Sequence, residues 1–269
     1  MTRLTEKDID GLSQEITRYE KELLLKTGMS LREIACFAAG ISLEVLNAAS
    51  KTYQVAVIPI TSGLGIIGGF AHSVASIVNK LGFPVAVTEK TDVSGFYEAV
   101  STGKDIVFMA DDERFIAFNL RTKKMADNGE ATGRGYVSAL YGMAKGLKGC
   151  DVLVLGYGQV GSKAVDFLSE LGANAVVFET DQSKVDYLLE RKVKVENNLD
   201  LALPNYSYIV DATPEGSFIS KELLHPKALI AAPGVPLALT ADAYQKYKDQ
   251  VIHDPLQIGV ATMLALALS

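Results

Sequence analysis

The chain has 269 residues, 48% of them hydrophobic and 22% charged, with a formal net charge of −6. That length favours two units sharing a cleft over one ordinary domain, and the composition is globular rather than disordered. The acidic balance and the lack of a dense Lys/Arg stripe argue against a nucleic-acid partner, and no segment is long and apolar enough to suggest a membrane one.

The opening MTRLTEKDIDGL carries no apolar run of the secretory kind, so the cytoplasm is the expected compartment. Cys36 and Cys150 lie far apart without a CxxC and read as small buried hydrophobes, not as a disulfide. His72, His225 and His253 fall in unrelated contexts, so no metal site is expected.

In chain order, Ile9, Leu12, Ile16, Tyr19 and Leu23 recur at helical spacing and predict one helix over 6–27, with Thr5 as its cap and Gly28 as its stop. Ser30 caps a second predicted helix ending near Ala49. From Gln54 the pattern changes: QVAVIPI reads as a strand, TSGLGIIGG as a glycine-rich loop, and Phe70, Val74, Ile77 and Leu81 as the face of a helix. Two more strands, 84–89 and 105–110, flank a helix at DVSGFYEAV, so the N-terminal half is expected to hold its own small α/β sheet.

A helix over 133–147 leads into strands near 151–156, 174–179, 193–195, 207–211 and 228–232, with helices near 159–171, 182–190 and 240–247 between them. This alternation predicts a doubly wound parallel sheet. The near-apolar IGVATMLALALS predicts a short helix buried against the protein. The expected division is 1–132 as a helical and α/β substrate domain, 133–255 as a cofactor domain, and 256–269 as a terminal helix returning toward the first.

DVLVLGYGQVG places Gly156, Gly158 and Gly161 between a buried strand and an apolar-faced helix, the context in which GxGxxG binds a dinucleotide on a Rossmann unit. Gly156 permits the turn, Gly158 admits the pyrophosphate, Gly161 permits close packing, and the helix start at Gln159 and Val160 supplies N–H donors. Glu179, about 20 residues on, sits where a carboxylate takes ribose hydroxyls. It would repel a 2′-phosphate, and only Lys184 follows it, so NAD is expected rather than NADP. The loops DATP (Ala212, Thr213, Pro214) and APGVP (Pro233) follow strands and are placed to reach ribose and nicotinamide.

In the N-terminal half, TSGLGIIGGF and MADDERF stand at strand ends, where α/β ligand sites lie. Asp111 and Asp112 could bind an ammonium group or take its proton, or they could serve as caps. Tyr141 and Lys145 form a YxxxK pair, but it precedes the glycine loop and reads better as a helix face than as a proton relay.

TSGLGIIGGF, DVSGFYEA, MADD with FNLR after it, the glycine loop with Glu179, DATP, APGVP and DPLQIGVATML together resemble the pyrrolysine synthases, the PylD family of dehydrogenases. The resemblance runs from Thr52 to the C-terminus. It implies an NAD-dependent oxidation of the terminal primary amine of L-lysine-Nε-3-methyl-D-ornithine, with ammonia loss and pyrroline ring closure. It also implies Asp111 as the acidic catalytic residue, assisting deprotonation with a pKa raised by burial, and substrate contacts from Phe70, Ser62, Ala110 and Leu4. Leu4 would lie in an N-terminal helix closing over the site, and a homodimer is compatible with this reading. The alternatives are a methylenetetrahydrofolate-type or shikimate-type dehydrogenase and a non-catalytic NAD-binding regulator.

Overall fold

A computed structural model describes residues 4–9 and 11–269. The leading helical segment is divided: α1 (Glu6–Ile9) and α2 (Leu12–Thr27) are separate helices, with Gly11 at φ 74° preceding the second. The expected second helix also breaks, because Gly40 at φ 68° ends α3 (Leu31–Ala39) and Ser42 caps α4 (Leu43–Thr52). At the start of α3, Ser30 and Glu33 form the reciprocal cap that the spacing S-x-x-E predicts.

The first sheet joins β1 (Val55–Ile58), β2 (Val85–Val87), β3 (Ile106–Ala110), β4 (Phe115–Asn119) and β5 (Met125–Asp127) in the order β2-β1-β3-β4-β5. Strands β2, β1 and β3 are parallel, while β4 and β5 run antiparallel to their neighbours. Helices α5 (Phe70–Lys80) and α6 (Asp92–Ser101) cover its faces. Alternate residues of β1 serve two cores: Val55 and Val57 join the main one, Ala56 and Ile58 a smaller one with Ala99 of α6.

Helix α7 (Asn128–Ala144) begins five residues before the expected 133. Its glycines lower helix propensity, but packing demands them. A Cβ on Gly133 would lie 2.7 Å from Val160 O, and one on Gly135 would lie 2.5 Å from Ile258 Cγ2. Close approach of neighbouring helices therefore outweighs the propensity of the first turns.

The second sheet is parallel and six-stranded among the described residues, in the order β11-β10-β9-β6-β7-β8. Its strands are β6 (Asp151–Leu155), β7 (Asn174–Phe178), β8 (Lys194–Glu196), β9 (Tyr208–Asp211), β10 (Leu229–Ala231) and β11 (Val251–Ile252). Between them run α8 (Gln159–Glu170), α9 (Gln182–Glu190), the short α10 (Leu199–Ala202) and α11 (Ala241–Tyr247). The order is that of a doubly wound Rossmann sheet, whose strand order reverses between β6 and β9. The expected α/β class with a Rossmann unit is therefore the observed one.

The closing helix α12 (Gln257–Leu266) is buried on nearly every side and packs on α3, α5 and α7. No single helix among the described residues is long and apolar enough to cross a membrane.

Candidate active site in the cleft between the sheets

The glycine loop joins β6 to α8. Gly156 adopts φ 83°, and a Cβ on Gly161 would lie 2.0 Å from Gly156 O, so neither position accepts a side chain. A Cβ on Gly158 would meet nothing within 4 Å. That open space faces the start of α8, where no side chain caps the helix and the first N–H groups are available to an anion. The loop thus has the shape and the donors that a dinucleotide pyrophosphate requires.

Glu179 follows β7 and organises the same loop. Its Oε2 accepts from Tyr157 N (2.7 Å), and its Oε1 accepts from Thr180 N (2.8 Å) and Asp181 N (3.0 Å). Burial pushes its pKa up, but these backbone donors and Lys184 Nζ at 3.6 Å outweigh that and hold the carboxyl below its usual range. A fixed negative charge therefore stands beside the glycine loop.

The loops after β9 and β10 are tied together by Asp211, which is buried. Its Oδ1 accepts from Thr213 N and Thr213 Oγ1 (3.1 and 2.6 Å), and its Oδ2 accepts from Ala238 N (3.3 Å). Burial raises the Asp211 pKa against the pull of these bonds. A Cβ on Gly234 would lie 2.4 Å from Thr213 O, so Ala212, Thr213, Pro214 and Pro233 occupy two loops in direct apposition.

Across the cleft, Asp111 and Asp112 open the tight turn from β3 to β4, closed by Asp111 N donating to Arg114 O (2.9 Å). Asp111 Oδ1 accepts from Glu113 N (2.8 Å) and Arg114 N (2.7 Å), while Oδ2 accepts no hydrogen bond from the described residues. The expectation that burial raises its pKa is corrected: the side chain is exposed, and the Arg114 and Glu113 backbone donors hold it below the usual carboxylate range. Asp111 is thus a standing anion rather than a tuned base. Phe70, at the start of α5, packs edge-on against Phe115 with ring centroids 5.3 Å apart. Leu4 is half-buried and lies ahead of α1, not in a helix as expected.

A cavity of about 400 Å³ separates the two sheets. Its wall brings together Leu4, Phe70, Ala110 and Asp111 from one side and Gly158, Gln159, Val160, Ala212, Thr213, Pro214 and Pro233 from the other. Gly156, Gly161 and Glu179 lie behind this wall as loop supports. Ser62 is exposed and not part of the wall. Tyr141 and Lys145 are also outside it: Tyr141 stacks on Phe37 at 4.7 Å, and Lys145 ends α7 at φ 57°.

The wall also contains Asn128, Thr132, Tyr136 and Asp254, to none of which sequence reasoning gave a role, although Asp254 opens the DPLQIGVATML segment. Asp254 is buried; its Oδ1 accepts from the N–H groups of Leu256, Gln257 and Ile258, and its Oδ2 from Tyr19 Oη (2.6 Å). Tyr136 Oη donates to Asp254 O (2.6 Å) and accepts from Asp254 N (2.9 Å). Burial first, then the Asp254 charge, push both tyrosine pKa values well above the ordinary phenol range. The one local signal was an Asp-Pro pair before an apolar helix, a start signal that says nothing about the tyrosines.

Residues 8–126 match the family model described as "Pyrrolysine biosynthesis protein PylD, N-terminal domain", and residues 126–253 match "Alanine dehydrogenase/PNT, C-terminal domain". The pyrrolysine synthase of Methanosarcina barkeri is 34% identical over 98% of this chain and 97% of its own length. That of Methanosarcina acetivorans is 31% identical over 98% of each. Among solved structures, shikimate dehydrogenase from Aquifex aeolicus superposes with a TM-score of 0.54 at 13% identity, covering 80% of this chain and 90% of its own. Shikimate 5-dehydrogenase from Thermus thermophilus, in complex with NADP(H) and shikimate, gives 0.52 at 18%, covering 81% and 93%. These two share the fold. The two synthases match the chain from end to end, and the chain belongs to the pyrrolysine synthase family.

Proposed function

We propose that the chain is an NAD-dependent amine dehydrogenase that completes pyrrolysine, oxidising the terminal primary amine of L-lysine-Nε-3-methyl-D-ornithine before ring closure. The observation that carries this reading is the charge of the cleft. Asp111 stands on its wall as an exposed anion, and among the described lining residues there is no Lys, Arg or His. An ammonium substrate gains from the Asp111 carboxylate, whose Oδ2 accepts no hydrogen bond from the described residues, whereas a carboxylate substrate such as shikimate would meet that anion. The shikimate-type reading therefore loses support, although the fold is shared.

The glycine loop, the uncapped start of α8 and Glu179 would hold the dinucleotide, and the fixed charge of Glu179 favours NAD over NADP. Bound NAD⁺ supplies the acceptor for the hydride that leaves the amine-bearing carbon. This chain's own residues do the rest. Asp111 Oδ2 holds the alkylammonium and orients it so that its proton leaves to an adjacent water, because the nitrogen needs a lone pair before hydride can leave. Leu4 and Phe70 cover the alkyl chain and keep water from the oxidised carbon, so the second amine of the substrate, not water, attacks it. Ammonia then leaves as the pyrroline ring closes.

The test is an incubation of the protein with the lysine–methylornithine conjugate and either NAD⁺ or NADP⁺, followed by absorbance of the reduced cofactor. Reduction of NAD⁺ that depends on the conjugate is expected. Tight NAD⁺ binding without reduction by the conjugate would sink the reading and leave a non-catalytic binder.

A further inference from the structure

Asp111 and Asp112 are neighbours on one turn, yet their carboxylates serve different partners. Asp111 closes on the N–H groups of its own turn. Asp112 reaches the glycine-rich loop over 61–69, where its Oδ2 accepts from Leu64 N at 2.6 Å. The residue before Leu64 is shaped by this contact. Gly63 has φ 69°, and a Cβ there would lie 2.0 Å from Asp112 Oδ2 and 2.8 Å from its Cγ. A side chain at Gly63 would thus be penalised twice, by backbone conformation and by the space the Asp112 carboxylate occupies.

The loop is also held toward both ends. Thr61 donates through N and Oγ1 to the Asp92 carboxylate (2.8 and 2.7 Å), and Gly68 N donates to Glu6 Oε1 (3.2 Å). Between those points the chain contributes Gly65, Ile66 and Ile67 to the cavity wall and then delivers Phe70. The Asp112 contact ties this stretch to the turn that carries Asp111.

We infer that Asp112 is a positioning residue: by holding Leu64 N it sets the spacing between Asp111 and the apolar wall of Ile66, Ile67 and Phe70, so that a substrate anchored at one is aligned at the other. This rests on the proposed role of Asp111 in amine oxidation. A displacement of about 1 Å in an oriented site costs up to roughly a hundredfold in rate. Asp112→Ala is therefore expected to lower kcat/KM for the conjugate by between about tenfold and a hundredfold, with the Kd for NAD⁺ unchanged. Asp112→Asn, whose carbonyl oxygen accepts the same N–H, recovers most of the loss.

Two measurements separate this from a general structural effect. The first is hydrogen exchange at the Leu64 amide, which needs no substrate: it accelerates in Asp112→Ala and stays near wild type in Asp112→Asn. The second is a cycle with Gly63→Ala. Because part of the damage of that change is the clash with Asp112, its effect shrinks when Asp112 is already alanine, and the combined loss is smaller than the product of the two. Unchanged Leu64 exchange in Asp112→Ala, or a strictly multiplicative cycle, would overturn the inference. If wild-type protein turns over no conjugate, the proposed function fails alone, and Leu64 exchange together with the cycle scored on stability still decides whether Asp112 holds the loop at Leu64 N.

Discussion

Tyr19 Oη donates to Asp254 Oδ2 at 2.6 Å, tying α2 to the segment that opens α12. Lys26 Nζ adds a second tie from α2 to Val251 O (2.8 Å), and Lys80 pairs with Glu20 at 2.6 Å to bind α2 to α5. Helix α2 therefore connects the elements of both sheets beside the cleft. Tyr19→Phe keeps the ring and removes one donor to a buried carboxylate, which is expected to cost about 1.5–3 kcal/mol. A fall of several degrees in Tm checks this; an unchanged Tm would show that the bond contributes nothing.

The same substitution at two glycines three residues apart should act in opposite ways. Gly161→Ala forces a Cβ to 2.0 Å from Gly156 O and is expected to destabilise the fold by about 3 kcal/mol or more. Gly158→Ala meets no protein atom within 4 Å, so Tm should hold while the Kd for NAD⁺ rises by about tenfold or more, because the added methyl enters the pyrophosphate space. Thermal melting and cofactor titration on both variants test the pair.

Glu179 sets a cofactor prediction. Its carboxylate is held ionised beside the glycine loop, and Glu179→Gln removes the charge while keeping an oxygen for Tyr157 N. The preference for NAD⁺ over NADP⁺ in Kd should fall by about tenfold as the repulsion of the 2′-phosphate disappears. An unaltered ratio would take Glu179 out of cofactor selection.

The pH dependence follows from Asp111. Its pKa lies below the ordinary value of about 3.9, held there by the Arg114 and Glu113 backbone donors, so it is fully charged across the neutral range. The limiting ionisation is then that of the substrate amine, and kcat/KM should rise with pH through neutrality toward about pH 10. The depressed pKa also means that Asp111 stabilises the fold above about pH 4, and that this contribution is lost as pH falls through the folded pKa. Asp111→Asn should lower kcat/KM by about a hundredfold or more across the profile without abolishing NAD⁺ binding. A near-normal rate in this variant would remove Asp111 from the reaction.

What could be read from the sequence was local. GYGQVG between DVLVL and an apolar-faced helix carries its own strand, turn and helix start, so the glycine loop and five of the six strands around it were legible, whereas β11, only two residues long, was not. The β4–β5 extension was not, because MAD is too short to show a period and Asp112–Arg114 read as a loop after one strand rather than a turn between two. The start of α7 was hidden by glycines whose purpose is contact with α8 and α12. Asp254 was the hardest, since its partner Tyr19 lies 235 residues away in sequence. Asp111 was visible as a residue, but its low pKa comes from the geometry of a hairpin turn that DDER alone does not specify.

The most direct test of the account is to supply the lysine–methylornithine conjugate with heavy nitrogen in its terminal amine, add NAD⁺, and follow NADH, ammonia and product mass together. The account predicts one NADH for each product, the label in released ammonia, and a product lighter than the substrate by ammonia and two further hydrogens. NADH formed with the label retained in the product, or no NADH at all, would contradict it.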